Sequence, residues 1–110
     1  MLVERKEIKN KEKNNIVEYI ESVFNSTNVL KSTYFIEQQR LYIAFNRGNT
    51  YSYEGITNEM YELFENAESQ GQYFNKNIRG KFDFRKEFTL YPDEVQNLNE
   101  IGDKDETLND

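Results

Sequence analysis

Residues 40–55, "RLYIAFNRGNTYSYEG", constrain the fold more than any other stretch of the chain. Two runs alternate apolar and polar residues, and a turn signal, Arg47-Gly48-Asn49, stands between them. A period of two sends successive side chains to opposite faces of a strand, so this is a β-hairpin. The placement of the turn decides which residues share a face. If Asn46-Arg47-Gly48 form a three-residue loop with Gly48 left-handed, Ile43 stands opposite Tyr51 and Leu41 opposite Tyr53. Both tyrosines then join the apolar face. If Arg47-Gly48 alone form the loop, Ala44 faces Tyr51 and the tyrosines move to the other face. Glycine at the third loop position favours the first register. Tyr51 and Tyr53 are then core rings with hydroxyls at the sheet edge; the other register makes them an exposed stacking platform.

The neighbouring segments extend this hairpin into an antiparallel meander. "VLKSTYFIE" (29–37) reads as a preceding strand, with Gln38-Gln39 as the turn. "ITNEMYELFENAESQG" reads as the main helix, over 57–68. Thr57 or Asn58 caps it, Met60, Leu63, Phe64 and Ala67 form its inner face, and Glu62, Glu65 and Glu68 stay outside. Gly71 ends it. "QYFNKNIRG" is a short second helix with Phe74 and Ile78 inward and Gly80 as terminator. "KFDFRKEF" is extended, alternating Phe82, Phe84 and Phe88, and is a candidate edge strand. Residues 15–24, "NIVEYIESVF", fit a helix face through Ile16, Ile20 and Phe24, yet are β-branched and aromatic enough for a strand. The helix, to about Ser22, is the favoured reading. Residues 4–13 alternate charges with almost no apolar content and read as a frayed or helical lead-in. The expectation is an α+β domain: a meander of three to four strands packed on one main helix, with a short second helix. Its boundaries are a partly helical N-terminal extension (1–23), the domain (24–89) and a tail (90–110).

Missing residue types exclude several chemistries. The chain has no His and no Cys. That removes zinc sites of the usual kind, Ser-His and Cys-His nucleophile pairs, and disulfides. Its glycines are scattered singly, so no phosphate loop is present. The carboxylates fall into no metal-ligand spacing. An enzyme is not expected, nor a metal or a cofactor. No apolar run approaches the ~20 residues that a membrane span needs, and "MLVERKEIKNKEK" has no secretory apolar core. The expected location is cytoplasmic.

Charge separates the tail from the rest. The formal net charge is −6 over 110 residues. Residues 1–29 carry five basic and five acidic groups, and residues 30–89 carry eight of each. The whole excess falls in "LYPDEVQNLNEIGDKDETLND", with one Lys against seven acids. That tail reads as disordered. The remainder is neutral and can carry a local basic patch.

Such a patch is visible in "GQYFNKNIRGKF" (71–82). Lys76 and Arg79 share a helix face, and Lys81 follows. Tyr73 offers a ring and Asn75 an amide. Arg47, at the hairpin tip, can approach. Cations with aromatic rings are what single-stranded nucleic acid or a nucleotide needs. The plainer reading makes Phe74, Ile78, Phe82 and Phe84 core, pairs Arg79 with a Glu of the preceding helix, and has Asn75 capping a turn.

The order "STNVLKSTYF", "LYIAF", "GNTYSYEGIT", "AESQGQYFNKNIRGKF" resembles the KTSC domain, a unit of about 60 residues found at the C-terminus of some lysyl-tRNA synthetases and alone in short bacterial and phage proteins. Tyr51 and Tyr53 match that family's Tyr-x-Tyr. Ser69, Gly71, Tyr73, Phe74, Asn75, Ile78 and Arg79 match its later motif. The likeness spans about residues 24–85. "TYFIEQQ" stands where a Gly-Tyr-Asp turn is usual, and the two terminal extensions are not family features. The resemblance implies no defined activity; RNA binding is suggested only by the fusion context.

Two function classes follow. One is a non-enzymatic module binding single-stranded nucleic acid or a nucleotide, through Tyr73, Asn75, Lys76, Arg79 and Lys81, with Arg47, Tyr51 and Tyr53. The other is a phage-type accessory protein that docks on a host protein through its acidic surface.

Overall fold

The structure, a computed structural model, describes residues 1–87. The acidic tail and Phe88 lie outside the described residues. Six strands form one antiparallel sheet in sequence order: β1 (Leu2–Asn10), β2 (Ile16–Phe24), β3 (Val29–Phe35), β4 (Arg40–Phe45), β5 (Thr50–Glu54) and β6 (Phe84–Glu87). Two α-helices, α1 (Asn58–Glu65) and α2 (Gln70–Asn77), lie between β5 and β6. The class is α+β, as expected, but the sheet has six strands instead of three or four.

The central hairpin takes the first of its two registers. Ile43 pairs with Tyr51 and Leu41 with Tyr53. Gly48 sits at φ 90°, and its N–H donates to the Phe45 carbonyl at 2.9 Å. Phe45 N–H donates across the loop to Asn49 at 2.8 Å. Gly48 is what makes that loop possible, because other residues resist φ > 0.

The extra strands come from the N-terminal extension. β2 is a strand, not the favoured helix, and β1 replaces the helical lead-in; the only helical piece there is a 3-10 turn at Lys11–Lys13. Asn14 and Asn15 both take left-handed φ in the β1–β2 connection. In β2 the burial alternates: Ile20, Ser22 and Phe24 are buried between less covered neighbours. That is the period of two with one face covered. The side chains Ile20, Ser22, Tyr34, Leu41, Ile43 and Tyr53 face the helices and form the core with Tyr61, Phe64, Phe74 and Ile78.

The α1 stripe is rotated from the expected one. Tyr61, Phe64 and Glu65 are buried, while Leu63 is 60% exposed. Tyr61 turns inward because its hydroxyl meets Ser22 at 2.9 Å and Ser32 at 3.0 Å in the sheet. Glu65, expected outside, accepts from Ser22 Oγ at 2.6 Å and pairs with Arg5 of β1 at 3.0 Å. A buried carboxylate persists only when paired and hydrogen-bonded. Thr57 caps α1, accepting from Met60 N–H at 3.2 Å. Gly71 does not end α1. Ser69 caps α2, accepting from Gln72 N–H at 3.2 Å, and Gly71 lies within that helix. The buried Gln70 amide covers the end of α1, donating to the Ala67 carbonyl at 2.8 Å and to the Phe64 and Glu65 carbonyls. Gly80 does follow the second helix, at φ 76°.

Candidate functional site

On the helix side of the sheet, β4, β5 and β6 leave a cleft of about 620 Å³ beside α2. Its floor is aromatic: Phe45 from β4, Tyr51 and Tyr53 from β5, and Phe84 from β6. These rings contact one another edge-on or tilted, with Phe45–Phe74 centroids 5.2 Å apart, Tyr53–Phe74 5.4 Å and Tyr51–Phe84 6.0 Å. One wall is the β4–β5 loop, with Asn46, Arg47 and Asn49, joined by Thr27 and Asn28. Asn46 locks these together: its side-chain amide donates to the Ser26 and Thr27 carbonyls at 3.0 and 2.6 Å. The other wall is α2 and its end, with Gly71, Phe74, Asn75, Arg79 and Gly80. Gly71 allows the walls to meet, because a Cβ there would come within 3.0 Å of Asn28 Nδ2.

Five of the eight residues singled out in the sequence line this cleft: Arg47, Tyr51, Tyr53, Asn75 and Arg79. Three do not. Lys76 and Lys81 are exposed outside it, and Tyr73 packs on Phe64 at 6.2 Å as part of the core margin. Arg79 makes no ion pair with a Glu of α1; among the described residues its side chain reaches only Asn75 Oδ1, at 3.5 Å. Arg47 likewise has no carboxylate within salt-bridge reach among the described residues. Phe84 is not core: it is 62% exposed at the lip. The residues that sequence reasoning missed as site members are Phe45, Phe74 and Phe84, which read as core, and the loop asparagines Asn28, Asn46 and Asn49. Their signal was the pair of Asn-rich turns, "NSTN" and "NRGN", whose approach only the β3–β4 pairing reveals.

The chemistry of the cleft is sharply one-sided. Among the described residues no Asp or Glu lines this cleft, whereas two arginines do. The Tyr53 phenol is held well above its usual pKa by burial and by Tyr51, with Arg79 pulling the other way. Its hydroxyl, protonated at neutral pH like any phenol, is able to donate. Arginine fork, aromatic ring and amide together are the groups that hold phosphate and base. Among the described residues no group of three or more acidic side chains could hold a metal ion, and no helix is long and apolar enough to cross a membrane.

The same region carries the likeness to known proteins. The KTSC domain family matches residues 25–82, more than half of the chain. The chain belongs to the KTSC family. A crystal structure of a KTSC domain protein from Yersinia pestis is 32% identical, with a TM-score of 0.58, covering 61% of this chain and 94% of that one. A lysine–tRNA ligase of Nostoc punctiforme is 41% identical over 54 residues, which is 49% of this chain but only 10% of the ligase. The KTSC match takes in β3, β4, β5 and both helices, and so most of the cleft. It leaves out β1, β2 and β6.

Proposed function

We propose that this KTSC domain is a binding module without a reaction of its own, and that its cleft takes single-stranded nucleic acid. The observation that carries the reading is the lining: two arginines over an aromatic floor, with no carboxylate partner and no lining acid among the described residues. Arg47 and Arg79 contact backbone phosphates from the two walls. Phe84 and Tyr51 stack a base, a contact that tolerates any base because every base has a π-face. The asparagine amides meet base edges or sugar. Lys76 and Lys81 lie outside the cleft and contribute a field, not contacts. The match to part of a lysine–tRNA ligase is in keeping with an RNA setting, though the chain spans about a tenth of that protein.

The test is a titration of the full chain with a fluorescent oligothymidylate at several salt concentrations. Measurable affinity at low salt that falls steeply as salt rises is expected, since phosphate contacts release counterions. Flat salt dependence, or no binding at low salt, ends the reading. A host protein recovered with the chain after nuclease treatment, with no bound nucleic acid, would favour the accessory-protein alternative.

A further inference from the structure

Three tyrosines are almost wholly buried: Tyr34 at 0%, Tyr61 at 1% and Tyr53 at 5% exposure. Two of them place their hydroxyls carefully. Tyr34 donates to the Ile56 carbonyl at 2.6 Å, and Tyr61 shares hydrogen bonds with Ser22 and Ser32. Tyr53 differs. No hydrogen bond to its hydroxyl is made among the described residues, and its side chain lines the cleft. Its ring is buried while its hydroxyl opens on the cleft, where a partner from outside can meet it.

The surrounding groups say what that partner must bring. A phenol keeps its proton at neutral pH, so the Tyr53 hydroxyl offers a donor. Arg79 lines the same cleft as Tyr53, and a guanidinium has donors only. Among the described residues no carboxylate lines the cleft to accept from either. The missing complement is a cluster of acceptor oxygens with negative charge. Phe84, a ring 62% exposed and 6.2 Å from Tyr53, lies beside that point and gives a flat apolar group a place to rest. Charged oxygens next to a flat ring describe a nucleotide.

We infer that the Tyr53 hydroxyl and the Arg79 guanidinium form a single receptor for one phosphate group of a nucleotide, and that Tyr53 sets the preference of the cleft for a phosphorylated ligand. The inference rests on the binding-module reading and sharpens it to one phosphate and two side chains.

Tyr53→Phe in the full chain removes the hydroxyl and keeps the ring. Adenosine 5′-monophosphate, adenosine and an oligothymidylate are titrated calorimetrically into the parent and the variant. The parent should bind the monophosphate more tightly than the nucleoside. Tyr53→Phe should lower that preference roughly tenfold, the usual worth of a hydrogen bond to a charged group. Adenosine binding and the melting temperature should not change, because no hydrogen bond within the protein is lost. Arg79→Lys should lower the preference too, since an ammonium cannot reproduce the fork. An unchanged preference in Tyr53→Phe, with oligothymidylate still bound, overturns the receptor and leaves the binding module standing. A Tyr53-dependent monophosphate preference without oligothymidylate binding keeps the receptor and removes the strand. A melting temperature lowered by several degrees in Tyr53→Phe would assign the hydroxyl a structural role and overturn the inference. So would a hexaglutamate peptide that binds more tightly than the monophosphate, or a parent that binds none of the three nucleic-acid probes.

Discussion

Tyr61 and Tyr53 face the same side of the same sheet, yet their surroundings differ in kind. Around Tyr61 every polar group is matched: Ser22, Ser32, Glu65 and Arg5 form one connected set from β1 through the sheet to α1. Around Tyr53 the cleft carries two arginines and, among the described residues, no carboxylate, and the space above is open. The first region spends its polar groups on holding the fold. The second leaves them for something else. Polar groups matched to one another hold the scaffold, and those that open on the cleft are left to meet a partner.

The contrast breaks most visibly at Glu65. Glu65→Ala should destabilise the protein by about 2–3 kcal/mol, because it opens a buried hole, takes the acceptor from the Ser22 hydroxyl and leaves Arg5 to Glu7 alone. Chemical denaturation measures this, and a loss below about 1 kcal/mol would mean that the Tyr61 region is not the scaffold. Alkaline pH reaches the same region. Burial raises the Tyr61 phenol to about 12, against about 10 in an unfolded chain. Its contribution is complete below pH 10 and is lost as pH rises from 10 towards 12. A stability profile should fall across that window by about 2–3 kcal/mol, and phenolate absorbance should appear together with unfolding. Early phenolate signal without unfolding belongs to the exposed tyrosines.

The other side responds in affinity instead. Arg79→Ala should weaken oligothymidylate binding about tenfold or more while changing stability by less than about 0.5 kcal/mol. Lys76→Ala, outside the cleft, should have the smallest effect: about twofold at low salt and nothing at high salt. If Lys76→Ala matches Arg79→Ala, binding follows the exposed face of α2 and the cleft loses its special standing.

Local chemistry made the central hairpin legible. Gly48 selects one register, and that register brings Tyr51 and Tyr53 to the helix side. The N-terminal strands were hidden for opposite reasons. "VERKEIK" sits at an edge where both faces are wet, so no apolar alternation marks it. "IVEYIESVF" satisfies both periods, and only pairing with β3 decides between them. Glu65 looked like a solvated acid because its partner lies 60 residues away. In the candidate site, Arg79, Tyr53 and Asn75 could be read from composition, but their union with Arg47 depends on how the hairpin tip meets α2, which no local pattern encodes. The alternation of Phe82 and Phe84 marks the face that Phe84 occupies, beside Tyr53, and is silent about how far that face is covered.

The β1–β2 hairpin lies outside the KTSC match, and it changes what the molecule presents to its own copies. Without it, β3, "VLKSTYF", would be the rim of the sheet, offering an open row of backbone N–H and C=O groups between apolar side chains. Such a rim invites a second chain to add itself as another strand, and then a third. With the hairpin in place the rim moves outward to β1, where five of nine residues are charged and two register shifts bend the strand. Arg5, tied to Glu65, keeps that strand fastened against peeling. The extension thus works as a selvedge, a finished border that keeps the weave from being continued by a neighbour.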